Sequence, residues 1–304
     1  TPVVWGDRLF MSSVRDADSA LVAVCLDTGT GATLWEQAVG EDRSTNNNTM
    51  ASPSPVTDGV HVCFTFGMSR MICFDMQGRR VWERDLEKEF GYNALMFGYS
   101  SSPLLRDGAL YLPVIRNQNP ASYGRAVPEG LDVSKSVSSY VIAVDLATGV
   151  TLWRVERPMQ AVGESQEAYT TPVALQRGDR TEILIYGADR LSAHDVRDGR
   201  ETWSWEGYNP TRISHWRVVA TPVVGPDLIY VCGPKYSTLY ALRPPAGDGT
   251  EAQVVWTHDK MLSDASTPLL YGGRLYVLHD NQRVLLCLDP QTGAVQWQGD
   301  LGGR

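Results

Sequence analysis

Apolar residues fall along this chain in short runs separated by turn residues, and the runs have the length of strands. LVAVCLD (21–27), MICFD (71–75), YVIAVDL (140–146), TLYAL (238–242) and VLLCLD (284–289) are aliphatic or aromatic stretches with turn residues on either side. A second set, RLF, HVCF, ALYL, LIYV and RLYV, precedes them, and TLW, RVW, TLW, ETW, VVW and VQW follow. The turn before each of the last set holds Thr-Gly, Asp-Gly or Gly alone, as a tight reversal with positive φ requires. No segment shows the 3.6-residue apolar period of a long amphipathic helix.

These runs recur as one unit, repeated six times. Each unit starts at a Ser/Thr-Pro pair: Thr1-Pro2, Ser52-Pro53, Ser102-Pro103, Thr171-Pro172, Thr221-Pro222 and Thr267-Pro268. Each ends on a tryptophan: Trp35, Trp82, Trp153, Trp203, Trp256 and Trp297. Spacing inside the unit is nearly constant, as in Pro2 to Phe10, Pro53 to His61 and Pro103 to Tyr111, or Asp27 to Trp35 and Asp289 to Trp297. Unit five departs, with Arg243 where Asp is expected and a Pro-Pro, Gly-rich insert before Trp256. Unit three carries an insertion around residues 116–139. The units run approximately 1–50, 51–100, 101–169, 170–219, 220–265 and 266–304. Four short strands per unit with a period near 50 residues predict an all-β propeller of four-stranded antiparallel blades, one domain over 1–304.

The repeat absorbs most of the residues that otherwise resemble chemistry. Cys25, Cys73 and Cys287 lie two before the closing Asp, where other units have Ala143, Ala193 and Ala241. Cys63 and Cys232 read as a second shared slot, two after the aromatic. All five are expected to be small buried packing residues, outside any zinc or disulfide framework. The closing tryptophans are expected to pack between neighbouring blades, and the closing Asp residues to cap tight turns. Equivalent Asp positions are spread around a radial array and do not converge on one substrate.

Net charge is −8 with no basic run, which argues against nucleic-acid binding. No stretch of about 18 apolar residues is present, so no transmembrane segment is expected. The connections from each Trp strand to the next Ser/Thr-Pro are long and non-repetitive, as in EDRSTNNNT (41–49) and EGYNPTRISHWRVV (206–219). A single site on a symmetric frame needs such symmetry-breaking loops. They make Arg43, Tyr92, Glu167, Tyr169, His215, Trp216, Arg217 and Asp264 the ligand- or partner-binding candidates, with Glu167 and Arg217 as a polar pair. Glu164, Glu167, Asn209 and Asp264 are oxygen donors for a hard cation, though no spacing marks them out. On this reading Glu167→Ala leaves stability almost unchanged.

The unit resembles the repeat of the PQQ-like, or quinoprotein-type, β-propellers, a family with BamB-like non-enzymatic members. YVIAVDLATGVTLW (140–153) and VLLCLDPQTGAVQW (284–297) are its clearest copies, and the resemblance covers essentially all 304 residues. It implies a periplasmic, cell-envelope or secreted protein, and a partial stretch of a parent with seven or eight blades. The enzymes of the family use an adjacent Cys-Cys disulfide, a Ca²⁺ ion and PQQ; this chain has no Cys-Cys pair. The favoured expectation is therefore a non-catalytic platform for an unidentified protein or glycan partner, with no catalytic residue, metal or cofactor assigned. A PQQ-dependent oxidoreductase with a divergent site, and a glycan- or peptide-sensing domain of a larger protein, are the alternatives.

Overall fold

The computed structural model describes the chain except residues 43–47, 68, 120–128, 131, 135, 261 and 303–304. The fold is all-β, of propeller type. Six sheets each hold four antiparallel strands in sequence order, and each constitutes one blade. In blade 1 the strands are Val3–Trp5, Arg8–Arg15, Ala20–Asp27 and Thr33–Glu41. The one α-helix among the described residues is Leu86–Phe90. The chain divides into two compact units, Thr1–Pro158 with blades 1–3 and Met159–Arg304 with blades 4–6.

Strand alternation decides where loops emerge. In every blade the hairpin between strands two and three leaves at one end, together with the connection from strand four to the next blade. The hairpins one–two and three–four leave at the other end. The insertion of blade 3 therefore lies at the same end of its blade as the long connections.

Cross-strand register explains the cysteine and alanine slot. Phe10, Cys25 and Trp35 stand side by side on strands two, three and four, as do Tyr111, Ala143 and Trp153. Tyr230, Ala241 and Trp256 repeat the pattern, and so do Tyr276, Cys287 and Trp297. The two rings lean together across the small residue, with centroids 6.0, 5.8, 5.9 and 6.0 Å apart. A β-bulge follows each small residue on strand three. A larger side chain in the slot would displace both rings. Ala143→Leu is therefore expected to lower stability by about 1–3 kcal/mol through overpacking, measured as a lower denaturant midpoint.

The same register corrects the reading of unit two. Val56 pairs with Cys63, as Leu104 pairs with Tyr111 and Val223 with Tyr230. The equivalent pair in that unit is thus Ser54-Pro55, and Cys63 occupies the aromatic slot, opposite Cys73. Cys63 and Cys232 do not share a position. With that alignment one hydrogen bond recurs. The Ser54 N–H donates to Ser102 Oγ (2.9 Å), Thr171 N–H to Thr221 Oγ1 (3.0 Å) and Thr221 N–H to Thr267 Oγ1 (3.0 Å). The Ser/Thr before the proline thus links three pairs of consecutive first strands.

The joint between blades is built from tryptophan and glycine. The Trp35 ring lies where a Cβ on Gly78 would stand, at 2.7 Å; Trp82 does the same at Gly149 (2.7 Å) and Trp256 at Gly293 (2.6 Å). These glycines close the turn after the next blade's Asp with φ of +80°, +74° and +72°, so both the backbone and the ring require glycine. The indole N–H donates to the carbonyl just after that Asp: Trp35 to Met76 (3.1 Å), Trp82 to Leu146 (2.8 Å) and Trp256 to Pro290 (3.0 Å). The Asp side chains shape the turns. Asp27 Oδ1 accepts from the N–H groups of Gly29 and Thr30, and Asp145 Oδ1 accepts from Thr148 N–H. The Thr30 and Thr148 hydroxyls hold these two carboxyls below the ordinary carboxylate range.

Two closing tryptophans depart from inter-blade docking. Trp203 donates to Glu182 Oε2 (3.0 Å) of its own blade, because the following unit has Arg243, Pro244 and Pro245 in place of the Asp turn. Trp297 is 46% exposed.

Candidate functional site

One group of charged side chains of unit Met159–Arg304 lies at the end where strands two and three turn. The connection entering blade 4 contains a 3-10 turn, Gly163–Gln166, and is zipped to the connection entering blade 5. Ser165 N–H donates to the Ser214 carbonyl and Tyr169 N–H to the Val218 carbonyl, both at 2.9 Å. Ala168 and Val218 form a parallel bridge. This backbone pairing presents Arg217 to two carboxylates, Glu164 (3.2 Å) and Asp264 (3.8 Å). Asp264 Oδ1 also accepts from Lys235 N–H (2.7 Å), and the Lys235 ammonium is 4.0 Å from Oδ2. Three loops and one hairpin are therefore tied by a half-buried line of alternating charge, Glu164–Arg217–Asp264–Lys235.

The hairpin carrying Lys235 is itself unusual. Lys235 and Tyr236 have φ of +55° and +59°, left-handed positions filled without glycine. Tyr236 leaves this turn to stack on His279, with centroids 4.8 Å apart and planes at 17°. Blade 4 has the matching hairpin at Ala188 and Asp189, φ +51° and +64°. There burial pushes the Asp189 carboxyl up, against the hydrogen bond from Asn209 Nδ2 (2.7 Å) and the nearby Arg212.

The other candidates divide by environment. Tyr169 and Glu167 are buried, and the Tyr169 hydroxyl donates to Glu167 Oε2 (2.7 Å). Glu167 lies at 0% exposure, so its replacement by alanine disturbs a buried hydrogen bond; the expectation of a neutral substitution does not hold. Arg217 is bridged by Glu164 and Asp264. Trp216 packs against the apolar cluster that includes Tyr186, Trp205 and Tyr208. His215 is exposed beside it. In the first unit, Tyr92 is half-buried in the connection entering blade 3. Next to it Arg116, 1% exposed, donates to the Phe90, Gly91 and Ser138 carbonyls and to Asn93 Oδ1. That guanidinium satisfies the carbonyls at the end of helix Leu86–Phe90. Arg43 lies outside the described residues, as do Tyr123 and Arg125 of the insertion.

Lys235, Asp189 and Arg116 escaped the sequence reading. Their signal was positional: each sits just after a second strand, hence at the loop end.

The donor set does not fit the quinone site that the resemblance implies. All five thiols are buried within blades, on second and third strands. Asn209 is used up in its own loop, accepting from Ile213 N–H and donating to Asp189. Glu164 is engaged by Arg217 and Glu167 by Tyr169. Among the described residues no three His, Cys, Asp or Glu side chains converge as metal ligands. The contact of His194 Nε2 with Ser192 Oγ, at 3.0 Å, lies inside blade 4 with both residues buried.

Among the described residues no helix is long and apolar enough to cross a membrane. No curated protein matches the sequence. The structure resembles BamB from Moraxella catarrhalis with a TM-score of 0.59 at 16% identity, covering 98% of this chain and 72% of that one. A europium-containing methanol dehydrogenase superposes with a TM-score of 0.70 at 13% identity, covering 100% and 69%. The quinohemoprotein alcohol dehydrogenase from Comamonas testosteroni gives 0.53 at 12%, covering 99% and 67%. At such identities the likeness is one of fold, shared by enzymes and non-enzymes alike. The family model described as outer membrane protein assembly factor BamB matches residues 1–121 and 123–299, and this chain belongs to that family.

Proposed function

We propose that the chain is a non-catalytic binding platform of the bacterial cell envelope, which engages a protein partner through the loop end of its blades. The observation that carries this reading is the Glu164–Arg217–Asp264–Lys235 line. Catalytic groups need a free acid, base or nucleophile facing a cavity. Here the charged groups neutralise one another and fix loop conformation, while Tyr236 and His215 remain exposed beside them. A rigid ridge of mixed charge with exposed rings suits protein recognition, in which charge sets orientation and aromatic residues supply contact area.

Titration of the purified chain with PQQ and Ca²⁺, followed by absorbance and calorimetry, tests it. The expected result is no saturable heat and no retained chromophore. Binding near one equivalent, with dye-linked alcohol oxidation, would replace the platform by a quinone enzyme. A photo-crosslinker at Tyr236 should capture an envelope protein, and one at Asp58, in a hairpin between strands one and two, should not.

A further inference from the structure

Blade 2 departs from the other blades at one cross-strand position. Its second and third strands, His61–Phe66 and Arg70–Asp75, place Cys63 directly opposite Cys73. Phe10, Tyr111, Tyr230 and Tyr276 hold the Cys63 position in blades 1, 3, 5 and 6, and Leu184 holds it in blade 4. The other three cysteines face different residues. Cys25 lies between Phe10 and Trp35, Cys287 between Tyr276 and Trp297, and Cys232 opposite Leu239. Directly opposite residues of an antiparallel pair present their side chains on one face, with Cα atoms about 4.5 or about 5.5 Å apart. A disulfide spans Cα separations of about 4.4–6.8 Å, so the register meets its requirement. Both residues are buried, in the cluster that holds Trp82, Leu110 and Val144. Cysteine fills less of that core than an aromatic ring, and a covalent link across the strands would offset the lost ring packing.

We propose that Cys63 and Cys73 form a cross-strand disulfide as the chain folds in the presence of a small disulfide oxidant. The thiolate of one cysteine attacks a sulfur of the oxidant, which stays on the protein as a mixed disulfide while the other oxidant sulfur leaves as a thiolate. The second cysteine, as its thiolate, attacks the protein sulfur of that mixed disulfide. The S–S bond forms and the second oxidant sulfur leaves. Two protein thiols are oxidised, one disulfide is reduced to two thiols, and the two protons pass to them through solvent. In the folded blade, burial and then the hydrogen bond with Cys73 push the Cys63 thiol well above its ordinary value. A thiol that stays protonated is a poor nucleophile. The exchange therefore belongs to folding, before the core of blade 2 closes, and the same burial then shields the finished bond.

Refolding of the reduced chain from urea in mixed oxidised and reduced glutathione is the test, followed by alkylation in denaturant and trypsin cleavage without reductant. Arg70 lies between the two cysteines, so trypsin places them in different peptides. Those peptides should run as one linked species that separates on reduction, with Cys25, Cys232 and Cys287 alkylated. Urea unfolding of the oxidised protein should show its midpoint fall when reductant is added, because the link restricts the unfolded chain. Cys73→Ala should refold, since Ala143, Ala193 and Ala241 hold that slot in blades 3 to 5, and its midpoint should not respond to reductant. Cys63 and Cys73 both alkylated in the refolded protein, or either one linked to another cysteine or to glutathione, overturns the proposal. A midpoint that reductant leaves in place, or moves equally in the unmodified protein and in Cys73→Ala, overturns it as well.

Discussion

Trp82→Ala is expected to cost about 3–5 kcal/mol, the range for truncating a large buried aromatic that leaves a cavity. The ring is 9% exposed and belongs to the cluster that joins blades 2 and 3, with Cys73, Leu110 and Val144. Its removal empties the seat over Gly149 and leaves the Leu146 carbonyl without its donor. The apolar loss and the unpaired carbonyl act together, because one side chain serves both. Urea denaturation should show a lower midpoint. Trp297→Ala should move it less, since that ring is 46% exposed. Comparable losses at both positions would contradict the docking account.

Glu182→Ala is the second large effect, about 3 kcal/mol, because it leaves the part-buried Arg177 guanidinium and the buried Trp203 N–H without their acceptor. Glu182 is 0% exposed and accepts a forked pair from Arg177, at 2.6 and 3.1 Å. It also takes the Trp203 indole N–H (3.0 Å) and the Thr202 hydroxyl (2.8 Å). Arg177 donates onward to the Pro245 and Gly247 carbonyls, so the carboxylate anchors the insert of unit five to blade 4. Burial alone would raise the Glu182 pKa; the hydrogen bonds from Arg177, Trp203 and Thr202 outweigh it and hold the group below its ordinary value. A folded-state value below the unfolded one means that the stabilisation is present above about pH 4.3 and is lost as pH falls through the folded value. Glu182→Gln should therefore cost less than alanine and flatten the acid limb of the stability curve. An acid limb unchanged in Glu182→Gln would place the titration elsewhere.

Much of the blade was legible because its determinants are local. The Asp, the glycine with positive φ and the tryptophan lie within nine residues of one another, and alternation names the inward face of each strand. Unit two shows the limit. Two Ser-Pro pairs stand in tandem there, Ser52-Pro53 and Ser54-Pro55, and only the pairing of Val56 with Cys63 selects the second. The loop end was legible as a region, through its irregular composition, and not as a set of contacts. Glu167 read as a loop carboxylate open to solvent, yet the packing of its loop buries it against Tyr169.

By itself, then, the sequence determined the strands, their turns, the six-fold repetition and the propeller class, since each rests on steric and periodic rules acting over a few residues. Tertiary structure alone decided which carbonyl receives each tryptophan and why Trp203 turns to Glu182. It alone decided which acids hold Arg217. Those outcomes depend on groups far apart in the chain, such as Trp82 and Leu146, 64 residues apart, brought within 2.8 Å by the stacking of one blade on the next.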